Sequence, residues 1–220
     1  AKDGVISSLT AKTLQSVEDA DKEAKEKADK EAADAVKAKI TALPAGSSLT
    51  LEHAEAVAEA FAAYNKLTDD QKELIDETGL MARVARINLL QAEKAVGDLE
   101  DAVAAIGTDE EKLEEAKELV APAEAAVAKA DNASLRARLA DAKDALKDAE
   151  EMKDALAAVN AAKDAEEMKD ALDALNEVGA IEGYEGNNAA RLALAQKVLE
   201  AKVEGTDFTR AAIEAAIAAE

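Results

Sequence analysis

The sequence predicts an all-α protein, an elongated array of short three-helix bundles joined by long helices. Three observations predict it. Alanine supplies 57 of the 220 residues, outnumbering Val, Ile and Leu together, and with Leu, Lys and Glu it is among the best intrinsic helix formers. Only nine Gly and two Pro are available to break the chain. Apolar residues recur at helical spacing, and no segment shows the alternation of a strand. Alanine buries little area and there are only four aromatic residues (Phe61, Tyr64, Tyr184, Phe208), so thin cores are expected rather than one thick globule.

The first long helix is expected over Ser8–Leu43. Its ends are apolar, with Val5, Ile6, Leu9, Leu14 and Val17 at one and Val36, Ile40 and Leu43 at the other. Between them, Asp19–Asp34 holds only Ala and charge. Glu18–Lys22, Asp21–Lys25, Glu23–Lys27 and Glu26–Lys30 stand in the favourable i,i+4 orientation, acid first. The stretch reads as a solvated face, or as a self-supporting connector between two bodies. Pro44, Gly46, Ser47 and Ser48 end it.

Thr50 is expected to cap a second helix carrying Leu51, Ala54, Val57, Ala58 and Phe61. Thr68-Asp-Asp-Gln71 reads as a capping box opening a short helix with Leu74 and Ile75, broken by Gly79. A long helix over Leu80–Ile106 follows, with Val84, Ile87, Leu90 or Gln91, Lys94 or Ala95, and Leu99 on its apolar face. Gly107 ends it, and Thr108-Asp-Glu-Glu111 is a further capping box. The next helix runs to about Ala130, with a kink or break expected near Val120 because Pro122 lies inside it. Asp131-Asn132 reads as a turn, and Ser134 opens a helix carrying Leu135, Leu139, Ala142 and Leu146.

An internal repeat comes next. Asp148-Ala-Glu-Glu-Met-Lys-Asp-Ala-Leu156 returns 16 residues later as Asp164-Ala-Glu-Glu-Met-Lys-Asp-Ala-Leu172. In one unbroken helix that offset is a rotation of roughly 160°, which would turn the two copies to opposite sides. A break is therefore expected between Asn160 and Asp164, with Asp164 as the new N-cap and Glu167 completing its capping box. Gly183-Tyr184-Glu185-Gly186 precedes two short final helices, about Asn188–Val203 and Asp207–Ala219, joined through Gly205-Thr206. These breaks divide the chain into residues 1–45, a long N-terminal connector helix; 46–106, a helical repeat unit; 107–162, a helical bundle unit; and 163–220, a C-terminal helical repeat unit.

The formal net charge is −21, and it is uneven. Residues 1–50 carry eight bases and nine acids, and the remaining −20 falls on residues 51–220. Nucleic acid is a poor partner for such a chain, since affinity for it rests on Lys and Arg neutralising phosphates. Anionic membrane surfaces are disfavoured for the same reason. No apolar run of transmembrane length or signal peptide is visible, so membrane insertion is not expected. A chain opening on Ala1 reads as a mature protein or an excised fragment, which leaves secretion open. Cysteine is absent, which removes disulfides and thiolate metal sites.

No catalytic, cofactor-binding or metal site is expected. His53, the single histidine, reads as a first-turn residue beside Glu52 and Glu55, without the convergent partners that catalysis or metal binding needs. Asp69-Asp70, Glu110-Glu111, Glu114-Glu115, Glu150-Glu151 and Glu166-Glu167 are adjacent carboxylates, mostly placed in first turns, where acids favour the positive helix end. Glycoside hydrolysis needs two carboxylates across a sugar-binding cleft, and a chain with no Trp is poorly supplied for one. There is no EF-hand loop, so weak calcium binding by acidic loops or between chains is the most that is expected of a cofactor. Gly183-x-x-Gly186 lacks the following Lys of a phosphate loop. Phe61, Tyr64 and Leu67 read as bundle core, with a recognition patch as the alternative, and Met152 and Met168 as core positions of the two repeat copies.

Two stretches carry a resemblance. Ile40-Thr-Ala-Leu-Pro44, followed by Phe61-Ala-Ala-Tyr-Asn-Lys-Leu-Thr-Asp-Asp-Gln-Lys-Glu-Leu-Ile75, resembles an all-helical repeat of Gram-positive cell-surface proteins. Val159–Leu172, continuing into Ala190–Val203 and Phe208–Ile217, is similar to repeats of surface-layer and wall-associated proteins of bacilli and their relatives. Together they span roughly half the chain. The resemblance implies an extracellular, cell-surface location (cell wall or S-layer), with cell-wall polymer or neighbouring surface-protein subunits as partners. Wall-binding regions of that kind are basic. Here Arg is confined to Arg83, Arg86, Arg136, Arg138, Arg191 and Arg210, with no basic stripe. The hallmarks of the separate surface-layer-homology anchoring domain are also missing. The expected function is a non-catalytic structural segment of a bacterial surface-layer or cell-wall-associated protein, a rigid spacer or wall-anchoring arm. The alternative is an accessory helical module of a large secreted carbohydrate-processing enzyme or adhesin.

Overall fold

The computed structural model describes residues 2–107, 109–202 and 206–219, with side chains from residue 13 onward. Among these residues every regular element is helical: α1 Lys2–Ala42, α2 Ala54–Asn65, α3 Asp69–Lys72, α4 Thr78–Ala105, α5 Glu110–Ala130, α6 Ala133–Ala161, α7 Ala165–Val178, α8 Asn188–Ala201 and α9 Arg210–Ala218. Short 3-10 turns at Gly46–Ser48 and Leu51–His53 bridge α1 to α2. The chain forms two compact units, residues 1–93 with 129–131, and residues 94–128 with 132–220.

The first unit is built on Ala33, Val36 and Leu43 of the α1 end, Val57, Ala60 and Tyr64 of α2, and Leu80 and Ile87 of α4, with Leu49 and Ile75 from the connections. Thin as it is, this core needs its helix ends satisfied. Arg83 meets the end of α1, its Nε donating to the Pro44 carbonyl at 2.9 Å and its Nη1 to Gly79 at 2.8 Å. A cation there also suits the negative end of the α1 dipole.

In the second unit, Ile106, Leu113, Ala116 and Leu146 form one cluster at the α4 end, α5 and α6. A larger cluster joins Ala155, Leu156 and Val159 of α6 to Met168, Leu172 and Leu175 of α7, Ala195 and Val198 of α8, and Ile213 and Ile217 of α9. The division of the chain at its helix breaks is thus not a division of its buried clusters, which join residues on both sides of positions 45 and 162. Arg138 grips Glu100 with two parallel bonds, 2.9 Å from Nε and 2.5 Å from Nη2, tying α6 to α4.

The break in the tandem repeat lies where the helical rotation requires it. α6 stops at Ala161, and Asp164 caps α7 by accepting the Glu166 and Glu167 backbone N–H groups at 3.0 and 2.9 Å. Glu167 reaches one residue further back than expected and accepts the Lys163 N–H at 2.9 Å. The Thr68–Gln71 box forms as read, Gln71 Oε1 accepting the Thr68 N–H at 3.0 Å.

Several local expectations fail, each for a physical reason. Gly79 does not break a helix: it sits in the first turn of α4, where a glycine costs little and Asp76 accepts the Thr78 N–H at 3.0 Å. Of the kink or break expected near Val120, the break does not occur: α5 is continuous through Pro122, and Ala116, Ala123 and Val127 on either side are buried. Asn132, not Ser134, caps α6, accepting the Leu135 N–H at 3.1 Å. The apolar face of α4 keeps Val84, Ile87, Leu90 and Leu99 as expected and also takes in Ala92 and Val96; of the paired alternatives, Gln91 and Lys94 are the exposed ones. α3 ends at Lys72, before Leu74 and Ile75. α1 begins earlier than Ser8, and α9 starts at Arg210 behind the Thr209 cap. The expected capping residue Thr108, and Val203 and Gly205 between the last two helices, lie outside the described residues.

On α1 the i,i+4 ion pairs Lys22–Glu26, Lys25–Asp29 and Lys27–Glu31 run base first, the reverse of the expected pairing. Packing on α3 decides part of this. Lys25 reaches Asp70 at 2.7 Å while Gln71 Nε2 donates to Asp29 at 2.8 Å, so this turn of α1 is docked rather than self-supporting. Residues 13–24, by contrast, are exposed.

Candidate functional site

Each side chain singled out in the sequence has a definite place. His53 closes the turn before α2: the Thr50 backbone N–H donates to its Nδ1 at 3.2 Å, and Thr50 Oγ1 lies 2.9 Å from the same nitrogen. The imidazole thus does what Glu or Gln does at this position of a capping box. Tyr64 is buried, and its hydroxyl donates to the Glu77 carboxylate, which together with burial holds the phenol above its ordinary pKa. Phe61 and Leu67 are packed against the same cluster. Met168 is fully buried, and Met152 packs against the same core from α6.

The adjacent carboxylates divide into helix-end residues and ion-pair partners. Asp69-Asp70, Glu110-Glu111 and Glu166-Glu167 lie in first turns, as expected. Glu114-Glu115 and Glu150-Glu151 lie further along their helices, where Lys117 of α5 links Glu114 at 2.9 Å to Glu150 of α6 at 2.7 Å. Those two carboxylates, Glu150 foremost, hold the Lys117 ammonium above its ordinary pKa. Glu151 pairs with Lys147 at 2.9 Å, and Glu110 with Lys153 at 2.6 Å. Among the described residues, no three His, Asp or Glu side chains are grouped to hold a metal.

The most elaborate polar arrangement was not singled out in the sequence. Lys169 and Asp173 stand one turn apart on α7, and Lys169 is the one buried charged residue among those described. Its ammonium donates to Asp170 at 2.8 Å and Asp173 at 3.0 Å. The other Asp173 oxygen accepts the Tyr184 hydroxyl at 2.8 Å and Arg191 Nη1 of α8 at 2.9 Å. Tyr184 is delivered by a turn whose glycines, Gly183 and Gly186, take positive φ values of 79° and 104° that side chains disfavour. Burial works to raise the Asp173 carboxyl pKa, but the bonds from Lys169 and Tyr184 and the nearby Arg191 charge outweigh it, leaving the pKa low. Burial, then the bond to Asp173, pushes the Tyr184 phenol up.

Chemically this is a closed set. The carboxylate is paired with two cations, the phenol is held protonated, and the ammonium is held charged by Asp170 and Asp173. Arg191 Nε is buried without a hydrogen-bond partner. Such a network fixes the α7–α8 corner, and none of its members is poised as a nucleophile or a general base. The only advance sign was the Lys169–Asp173 spacing, which looks like any surface i,i+4 pair until Tyr184 and Arg191 fold over it.

A groove of about 420 Å³ in the second unit is lined by Lys153, Leu156, Ala157, Asn160, Asp207, Phe208 and Thr209. The Asn160 amide is already committed, accepting the Phe208 N–H at 2.7 Å and donating to its carbonyl at 3.4 Å. No described helix is long and apolar enough to cross a membrane. Comparison with family models, with curated proteins and with solved structures finds no match.

Proposed function

We propose that the chain is a non-catalytic structural segment of a bacterial surface-layer or cell-wall-associated protein, acting as a spacer or wall-anchoring arm. The observation that carries this reading is where the polar side chains are spent. His53 and Asp164 terminate helices, Glu110 and Glu150 bridge α5 to α6, and the most buried network locks one helix to the next. The Tyr64–Lys72 segment that carries the resemblance to surface-protein repeats serves the same end, placing Tyr64 in a core and Thr68–Gln71 at a helix start.

Purified cell-wall sacculi test the proposal, with and without their secondary polymer. Sedimentation of the chain with polymer-bearing sacculi alone is the result expected of an anchoring arm. A chain that stays in solution with both removes the anchoring role. Release of new reducing ends from sacculus glycan by the chain would overturn the non-catalytic reading.

A further inference from the structure

The corner between α6 and α7 is Ala161-Ala162-Lys163-Asp164, which contains neither Gly nor Pro. Ala and Lys are strong helix formers, so locally only the Asp164 cap and the Lys163 N–H bond to Glu167 oppose a run-on of the two helices. The corner is also held from outside. The Lys202 ammonium donates to the carbonyls of Asn160 and of Ala162, the latter at 3.1 Å. In a fused helix those two carbonyls would be taken by the N–H groups of Asp164 and Glu166. Lys202 therefore has its two partners only while the corner is bent. The Asn160–Phe208 amide bonds hold the same helix end. Meanwhile α6 contributes Ala155, Leu156 and Val159 to a core otherwise made by α7, α8 and α9, and a second copy's α6 presents the same residues.

We propose that α7–α9 form an exchangeable module. The 161–164 corner is its hinge, Lys202 is the latch that favours the single-chain form, and the partner is a second copy of this chain. On opening, α6 and α7 fuse, and each copy's α7–α9 packs on the other's α6 through the same buried residues.

The test uses the full chain carrying Lys202→Met with Asn160→Ala, and separately Lys202→Met alone in case the pair impairs folding. Each is concentrated, warmed to its unfolding midpoint, cooled and sized by light scattering, with helix content checked by circular dichroism. The expected result is a dimer fraction at least tenfold above that of the unmodified chain. That dimer should persist for hours after dilution, since separation must reopen the core. Adding Lys163→Pro should return the protein to monomer. Proline gives up the Lys163 N–H bond to Glu167 but suits the extended Ala162 before it (ψ 135°), whereas the interior of a fused helix does not accept it. Folded variants that remain monomeric overturn the proposal. So do dimers that separate within seconds, or that form equally with Pro at 163.

Discussion

Leu156 and Leu172 hold the same place in the two tandem copies, and both are buried in one core from opposite sides of the α6–α7 corner. The sixteen-residue offset that would point them apart in a straight helix lets both enter one core once the chain bends. The repeat is thus two halves of a single packing unit.

The two methionines of the repeat should therefore differ in cost. Met168 is fully buried, whereas Met152 is only partly covered. Met168→Ala is expected to destabilise by about 2–5 kcal/mol and Met152→Ala by clearly less. Urea unfolding followed by circular dichroism measures both, and equal losses would contradict the burial difference.

His53 gives a prediction about substitution chemistry. Because its ring accepts the Thr50 N–H, His53→Gln should keep the turn, Gln being a natural member of a capping box. His53→Ala should cost about 0.5–2 kcal/mol, the usual range for a lost cap. Thermal unfolding of the two variants distinguishes a capping role from a passive one, in which they would behave alike.

Asp173 sets a pH dependence. Its folded carboxyl lies below the ordinary value, so the folded state favours the ionised form. That contribution is fully present above the unfolded pKa, about 3.9, and is lost as pH falls through the lower folded value. Asp173→Asn should remove it. The stability difference between unmodified protein and Asp173→Asn should hold steady from pH 7 to about 5 and shrink below about pH 4. A difference unchanged down to pH 2 would show that Asp173 is not held ionised by Lys169, Tyr184 and Arg191.

What the sequence made legible was local. The Thr68–Gln71 box and the Asp164 cap depend on residues within three or four positions, and both form. The break between the repeat copies followed from helix geometry alone. What escaped depends on partners distant in sequence. Lys25 turns to Asp70, 45 residues away, instead of to Asp21. The Lys169–Asp173 pair becomes a buried network only because Tyr184 and Arg191 arrive from the next turn and helix. Intrinsic preference alone would end a helix at Gly79 or Pro122, and neighbouring caps and burial keep α4 and α5 continuous there.

Pro122 offers the sharpest contest between opposing effects. It lies within α5, where it has no N–H to give the Glu118 carbonyl, and a helix-interior proline is about 3 kcal/mol less favourable than alanine. Its side chain is exposed, so Pro122→Ala removes little packing. Against the gain stands the greater freedom of the unfolded alanine chain, about 0.4–1 kcal/mol. The helix term is the larger, so Pro122→Ala should stabilise the protein by about 2–2.6 kcal/mol. Urea unfolding gives the sign directly. A loss of stability would mean that α5 needs the proline to place Ala116 and Val127 in the second unit.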